Sequence, residues 1–378
     1  MPLDPVFAER TRAHRRYLLG QKLTELKRRA HWPWLPRPVR PLLPPATSAP
    51  SKQPPPQAAA GASAPAAASA AASAPRPAPT PAELRDRKRR DARLWDRKEL
   101  ADIGTPGPRV RTQEHVVAVD GYPDVRVRLY LPDGADGPVP ACLTFFGGAF
   151  RLGGIDYPTT DAANRRRTQA AGVACLAVDY ALAPEHRYPT QVEQGYAALV
   201  WLFAHAGELG VDPDRIGIQG TSAGGCIAAA VTLVNRDRAR LPIRIQVLEV
   251  PATDLTGRHV DLRVPWSMGV PSPLVRAEMR SIARSYLSDT SRAREPYASP
   301  LRAASHEGLP PAVVLTAEYD PLRGDGAAYA AALRAAGVEA SAVQYLGVTH
   351  DVAMFTGALD AARRWEDDVV CALRRLHG

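Results

Sequence analysis

The chain has 378 residues, 45% of them hydrophobic and 23% charged, enough to bury a sizeable core. Its 37 prolines exceed what one compact domain carries, so part of the chain reads as linker. The formal charge of +9 is uneven: residues 1–110 hold 21 Lys+Arg against 9 Asp+Glu, a surplus of 12, and the remainder sums to −3.

The start lacks the apolar core of a signal peptide, and no run of about 18 apolar residues follows, so a soluble cytoplasmic protein is expected. Cys142, Cys175, Cys226 and Cys371 are far apart and sit among apolar residues. They read as buried thiols, with no disulfide framework and no metal site.

Residues 1–35 form a basic segment in which Leu18, Leu19, Leu23 and Leu26 recur at near-helical spacing. The basic surplus reads as a solvated, Arg-rich helical face; weak contact with an anionic surface is the alternative. Residues 36–81 are built of Pro, Ala and Ser and read as a flexible linker, because so few large apolar groups cannot offset the entropy of ordering. Thr80-Pro81-Ala82-Glu83 has the pattern of a helix start, with threonine as N-cap and proline at the first helical position. A charged helix to about residue 100 follows, within a segment spanning 82–109.

From residue 110 the pattern changes. Strands are expected at 115–119 and 125–131, joined as a hairpin across Asp120-Gly121, and at 140–146, 173–178, 215–219, 243–250, 312–317 and 342–346. Helices are expected at 191–206, 223–235, 326–336 and 359–376. Such alternation implies an α/β domain over 110–378 with a mostly parallel sheet covered on both faces. Ligands of these sheets bind beyond the carboxyl ends of the strands.

Gly220-Thr221-Ser222-Ala223-Gly224 stands where a strand becomes a small-residue helix, the pattern of a nucleophile elbow. The turn requires small residues two before and two after the serine, and raises its hydroxyl above the sheet. A serine hydroxyl needs a histidine base, and the histidine needs a carboxylate to hold its tautomer. Asp320 and His350 each follow an expected strand, in the chain order Ser, Asp, His. Asp325 and Asp351 are local competitors for the acid role; Asp325 falls at a helix start and reads as a cap. Phe145-Phe146-Gly147-Gly148-Ala149-Phe150, after the third strand, is placed to supply oxyanion donors, with Gly147, Gly148, Ala149 and Ala223 as candidates.

The elbow, the stretch from Val178 to His186 reading VDYALAPEH, the Tyr319-Asp320-Pro321-Leu322 loop and the His350 loop together resemble the hormone-sensitive-lipase family of α/β-hydrolases. Tyr297-Ala298-Ser299-Pro300-Leu301 is a fifth, weaker match. The resemblance covers about 270 residues. It implies an eight-stranded α/β-hydrolase fold with a helical cap, and Ser222 as nucleophile, Asp320 as acid and His350 as base. Family loops begin with histidine followed by three glycines, whereas this one reads Phe146-Gly147-Gly148-Ala149. The cap would comprise the N-terminal helices and an excursion near 256–290, and Phe146, Phe150, Tyr188 and Trp266 are the candidate substrate-binding residues.

The expected function is a serine carboxylesterase acting on short- to medium-chain esters, with no cofactor and no metal. The same triad serves lactonases, amidases and acyltransferases. A silent small-molecule receptor is the alternative of another class, since receptors resembling this family lack the histidine, which is present here. Expected partners are a small-molecule ester and a second copy of the chain; no specific nucleic acid and no transmembrane span are expected.

Overall fold

The computed structural model describes residues 2–9, 79–134 and 137–378. The expected leucine-spaced helix and nearly all of the Pro/Ala/Ser linker lie outside the described residues. Helix α1 (Pro81–Asp102) begins as its sequence indicates. The Glu83 N–H donates to Thr80 Oγ1 at 3.2 Å and the Thr80 N–H donates back to Glu83 Oε2 at 2.7 Å, a reciprocal capping box.

Eight strands form one sheet: β1 (Arg111–Val117), β2 (Val125–Leu131), β3 (Val139–Phe145), β4 (Ala174–Val178), β5 (Val211–Thr221), β6 (Ile243–Glu249), β7 (Ala312–Tyr319) and β8 (Ala340–Thr349). Their order is β1-β2-β4-β3-β5-β6-β7-β8. Strand β2 is antiparallel to β1 and to β4, and every other pairing is parallel. Parallel strands sit between two helical layers, so they are apolar on both faces; all five residues of β4 are buried.

The two-residue side-chain period splits the core in two. Ala141, Leu143, Phe145, Ile216, Ile218, Leu248 and Val314 face one layer. It is built from α3 (Thr190–Ala204), α4 (Ala223–Asp237) and α7 (Arg323–Ala335). Cys142, Ile245, Val247, Leu315 and Ala317 face the other, with α8 (Asp360–Arg374) and the end of α2 (Pro158–Ala171). Within α4, Ala228, Ala229 and Ala230 have no exposed surface, so small residues let this helix lie close to the sheet. Two short elements, α5 (Arg263–Ser267) and α6 (Ser272–Tyr286), fill the excursion after β6.

Three expectations need correction. Helix α2 has no counterpart in the sequence reading, because its buried stripe contains Asn164, Arg167 and Thr168 in place of an apolar face. Cys371 is exposed on α8, while Cys142, Cys175 and Cys226 are buried. Asp325 does not cap α7: it has no exposed surface and its Oδ2 accepts the Asp254 N–H at 2.9 Å. Burial and the neighbouring charges of Asp254 and Asp320 push its carboxyl up to about 8.

Candidate active site

The turn between β5 and α4 holds Ser222 at φ 56° and ψ −115°, a conformation that costs on the order of 1–3 kcal/mol for a residue with a Cβ. The neighbouring glycines make it feasible. A Cβ on Gly220 would stand 2.2 Å from the Gly224 carbonyl oxygen, and one on Gly224 would stand 2.3 Å from that of Phe145. Any side chain at either position would push the turn open.

His350 directly follows β8 and Asp320 directly follows β7, so both stand at the carboxyl edge of the sheet with Ser222. The structure brings the three together. The Ser222 hydroxyl lies 2.9 Å from His350 Nε2, and His350 Nδ1 lies 2.8 Å from Asp320 Oδ2. Asp320 has no exposed surface, and its Oδ1 accepts the Leu322 N–H at 2.9 Å, which fixes the carboxylate plane. With the acid on Nδ1, that nitrogen carries the proton and Nε2 is free to accept from the serine. Burial opposes a charge on His350, but the Asp320 charge and hydrogen bond, helped by Asp351, outweigh it and raise the imidazole to about 9. Asp351 is exposed and makes no hydrogen bond to the ring in this arrangement.

The glycine-rich loop lies against the serine: a Cβ on Gly147 would be 3.4 Å from the Ser222 Cβ. Gly148 has φ +141° and Ala149 and Phe150 have φ of 53° and 60°, a run of left-handed backbone. Ala223 opens α4, so its N–H has no partner within the helix. Among the described residues the N–H groups of Gly148, Ala149 and Ala223 have no backbone acceptor. An anion near Ser222 would supply one.

Phe146 is buried beside Tyr180. Its ring stacks on Tyr180 at 4.0 Å with planes 9° apart, and the Tyr180 hydroxyl donates to the Phe146 carbonyl at 2.8 Å. Aromatic stacking therefore braces the loop from beneath, where a histidine would use hydrogen bonds. Phe146→Ala should lower unfolding stability by about 3–5 kcal/mol, read as a shift in the urea midpoint.

Phe150 is buried and stacks on Tyr286 at 3.8 Å. Tyr188 is buried too; its hydroxyl donates to Glu295 Oε2 at 3.0 Å and Arg292 lies 4.6 Å above its ring. Trp266 stands 69% exposed, because its five-residue helix turns Val264 and Pro265 inward instead. Tyr286, which the sequence places in the second cap element with Trp266, has no exposed surface.

A serine–histidine–aspartate relay at the carboxyl edge of an α/β sheet, its acid buried and its serine facing free backbone donors, defines a serine hydrolase. Known proteins agree. The model of the alpha/beta hydrolase fold family matches residues 142–354. The carboxylesterase NlhH of Mycobacterium tuberculosis is 34% identical over 287 residues, spanning 74% of this chain and 88% of that protein. An ethyl acetate hydrolase of Pseudomonas putida is 33% identical over 261 residues, spanning 68% and 80%. The crystal structure of EstE1, a thermophilic carboxylesterase cloned from a metagenomic library, superposes with a TM-score of 0.70 at 37% identity, covering 77% of this chain and 97% of that one. The chain belongs to the alpha/beta hydrolase fold family, alongside the esterases of its hormone-sensitive-lipase-like branch.

Proposed function

We propose that the protein hydrolyses short- to medium-chain carboxylic esters through an acyl-enzyme on Ser222. The observation that carries this reading is the continuous relay from Ser222 Oγ through His350 to Asp320, at 2.9 and 2.8 Å. His350 takes the serine proton as Oγ attacks the ester carbonyl, and Asp320 stabilises the imidazolium. The N–H groups of Gly148, Ala149 and Ala223, with Gly147 holding the loop close, receive the oxyanion. His350 then protonates the departing alcohol, and water repeats the sequence to release the acid.

The ethyl acetate hydrolase among the relatives supports a short acyl group. A fluorophosphonate probe should form one covalent adduct, located on Ser222 by peptide mass. Absence of an adduct on folded protein would reject the reading in favour of a silent binding protein.

Helix α1 and residues 256–290 are assigned to a cap over the 110–378 domain. Arg89 on α1 supports this, donating to the Arg151 and Ala183 carbonyls at 3.1 and 3.0 Å, as does Arg151 beside the oxyanion loop, which donates to Glu278 of α6 at 2.6 Å. Among the described residues no helix is long and apolar enough to cross a membrane. The four free cysteines suit the cytoplasm, and the basic surplus of the first 110 residues suits weak contact with anionic surfaces.

Strand β8 lies at one end of the sheet with Val343 40% and Leu346 54% exposed, an edge that suits pairing with a second copy. Sedimentation equilibrium should give a dimer that Leu346→Lys converts to monomer. A monomeric wild-type protein would exclude this assembly.

A further inference from the structure

Behind the active site, on the α2 and α8 side of the sheet, one carboxylate grips the strand that delivers Ser222. Glu249 ends β6 and has no exposed surface. Its main-chain carbonyl accepts the Ser222 N–H at 2.8 Å, and it is the register partner of Thr221. Its side chain reaches the same strand. Oε1 accepts the Thr221 hydroxyl at 3.0 Å and the Gln219 amide at 3.1 Å. Gln219 and Thr221 are two residues apart, so they share a face and flank Gly220 of the elbow.

The carboxylate is itself held from both neighbouring helices. Arg167 of α2 donates to its two oxygens at 2.7 and 3.0 Å, and Trp365 of α8 donates to Oε2 at 2.6 Å. Glu366 then accepts from Arg167 at 2.9 Å and from Arg166 at 3.2 Å, so two arginines balance two carboxylates. Burial opposes the Glu249 charge, yet Arg167, Trp365 and Thr221 hold its carboxyl below the ordinary range.

Stability alone does not account for this cluster. A buried ion pair is often no better for stability than well-packed apolar groups of the same volume. What the apolar alternative would lack is a grip on Thr221 and Gln219. Ser222 stands in a strained conformation that no local preference maintains, so the surrounding contacts must maintain it.

We propose that Glu249 is a positioning residue for the nucleophile: through Thr221, Gln219 and the Ser222 N–H it sets where the serine hydroxyl stands relative to His350 and the oxyanion donors. The proposal rests on the serine-hydrolase reading above. A displacement of about 1 Å at a reacting group can lower a rate by about 10²-fold, which gives the scale of the expected effect.

Two variants test it in the full-length chain. Thr221→Val deletes one hydroxyl contact and leaves the Arg167–Glu249 pair whole; Glu249→Gln keeps the shape and removes the charge. Both are titrated with fluorophosphonate, so that kcat on p-nitrophenyl butyrate is expressed per reactive serine, and KM, the rate of fluorophosphonate inactivation and Tm are measured alongside. Thr221→Val should lower kcat per titrated site and the inactivation rate together, by about tenfold, the scale of one hydrogen bond to a charged group. Glu249→Gln should lower both by about 10²-fold. KM should stay within about twofold in each, as expected for an effect on the reacting geometry alone.

Wild-type kcat per titrated site in Thr221→Val, or activity lost only through a smaller titratable fraction and a lower Tm, would overturn the proposal. If Glu249→Gln does not fold, Thr221→Val decides alone. Failure of the wild-type protein to be labelled at all would reject the serine-hydrolase reading itself, whereas a labelled wild type with unchanged variants rejects only the role of Glu249.

Discussion

Ser222→Ala should reduce kcat/KM on p-nitrophenyl butyrate by about 10⁶-fold while the protein stays folded. The substitution removes only an oxygen, and alanine tolerates the backbone angles of the elbow no worse than serine does, since each carries one Cβ. The Ser222 N–H still donates to the Glu249 carbonyl at 2.8 Å, so the turn keeps its anchor. What disappears is the acyl-enzyme route. The free backbone donors remain, and they can sustain a residual acceleration of about 10³–10⁴ over water. Activity in Ser222→Ala within tenfold of wild type would mean that another group attacks the ester, and would reject the assignment of the nucleophile.

Asp320→Asn is expected to lower kcat by about 10⁴-fold, with a smaller change in KM. The asparagine fits the same space, but its amide nitrogen presents hydrogens where the carboxylate presents an acceptor, 2.8 Å from His350 Nδ1. The imidazole would then favour the tautomer with Nε2 protonated, which cannot accept from Ser222. The pH profile reports the same contact. Catalysis requires neutral His350, and the imidazole is raised to about 9, with burial opposing and Asp320 driving the shift. Wild-type kcat/KM should therefore climb with pH and level off above about 9. In Asp320→Asn the driving charge is gone and burial remains, so the midpoint should move to lower pH.

The sign for stability follows from the same shift. A group whose proton is held more tightly in the folded state stabilises the fold fully below its unfolded pKa of about 6.5. That contribution fades as pH rises toward about 9. Thermal unfolding between these limits should show a loss of Tm in the wild type that is smaller in Asp320→Asn. A wild-type midpoint near 6.5 would show that Asp320 does not act on the ring.

The elbow was legible in the sequence because its requirement is local: two glycines must flank a serine at a strand-to-helix turn, and a Cβ at either would meet backbone at 2.2 or 2.3 Å. Asp320 and His350 were legible because each follows a strand whose apolar run announces it, and parallel strands place all such loops at one edge. Periodicity failed where polar groups are buried. Helix α2 turns Asn164, Arg167 and Thr168 inward, and α1 buries Asp96 and Glu99, so neither has an apolar stripe to read, and α1 was legible from its Thr80–Glu83 start signal instead. The orientation of Phe146 and of Trp266 was not legible for a related reason. Residue type alone cannot say which way a ring turns, and one lies beneath the loop on Tyr180 while the other faces solvent.

What the sequence determined by itself was the strand pattern, the small residues that the serine's turn requires and the chain order of its two partners, all set by neighbours along the chain. The tertiary structure alone decided the rest. It closed the relay from Ser222 to Asp320 and gathered Arg167, Glu249, Trp365 and Glu366 from α2, β6 and α8 into one buried cluster. The physical reason is that a buried charge is tolerable only beside partners brought from distant parts of the chain. Glu249 in isolation is an anomaly in an apolar strand; in the fold it holds the nucleophile's strand in place.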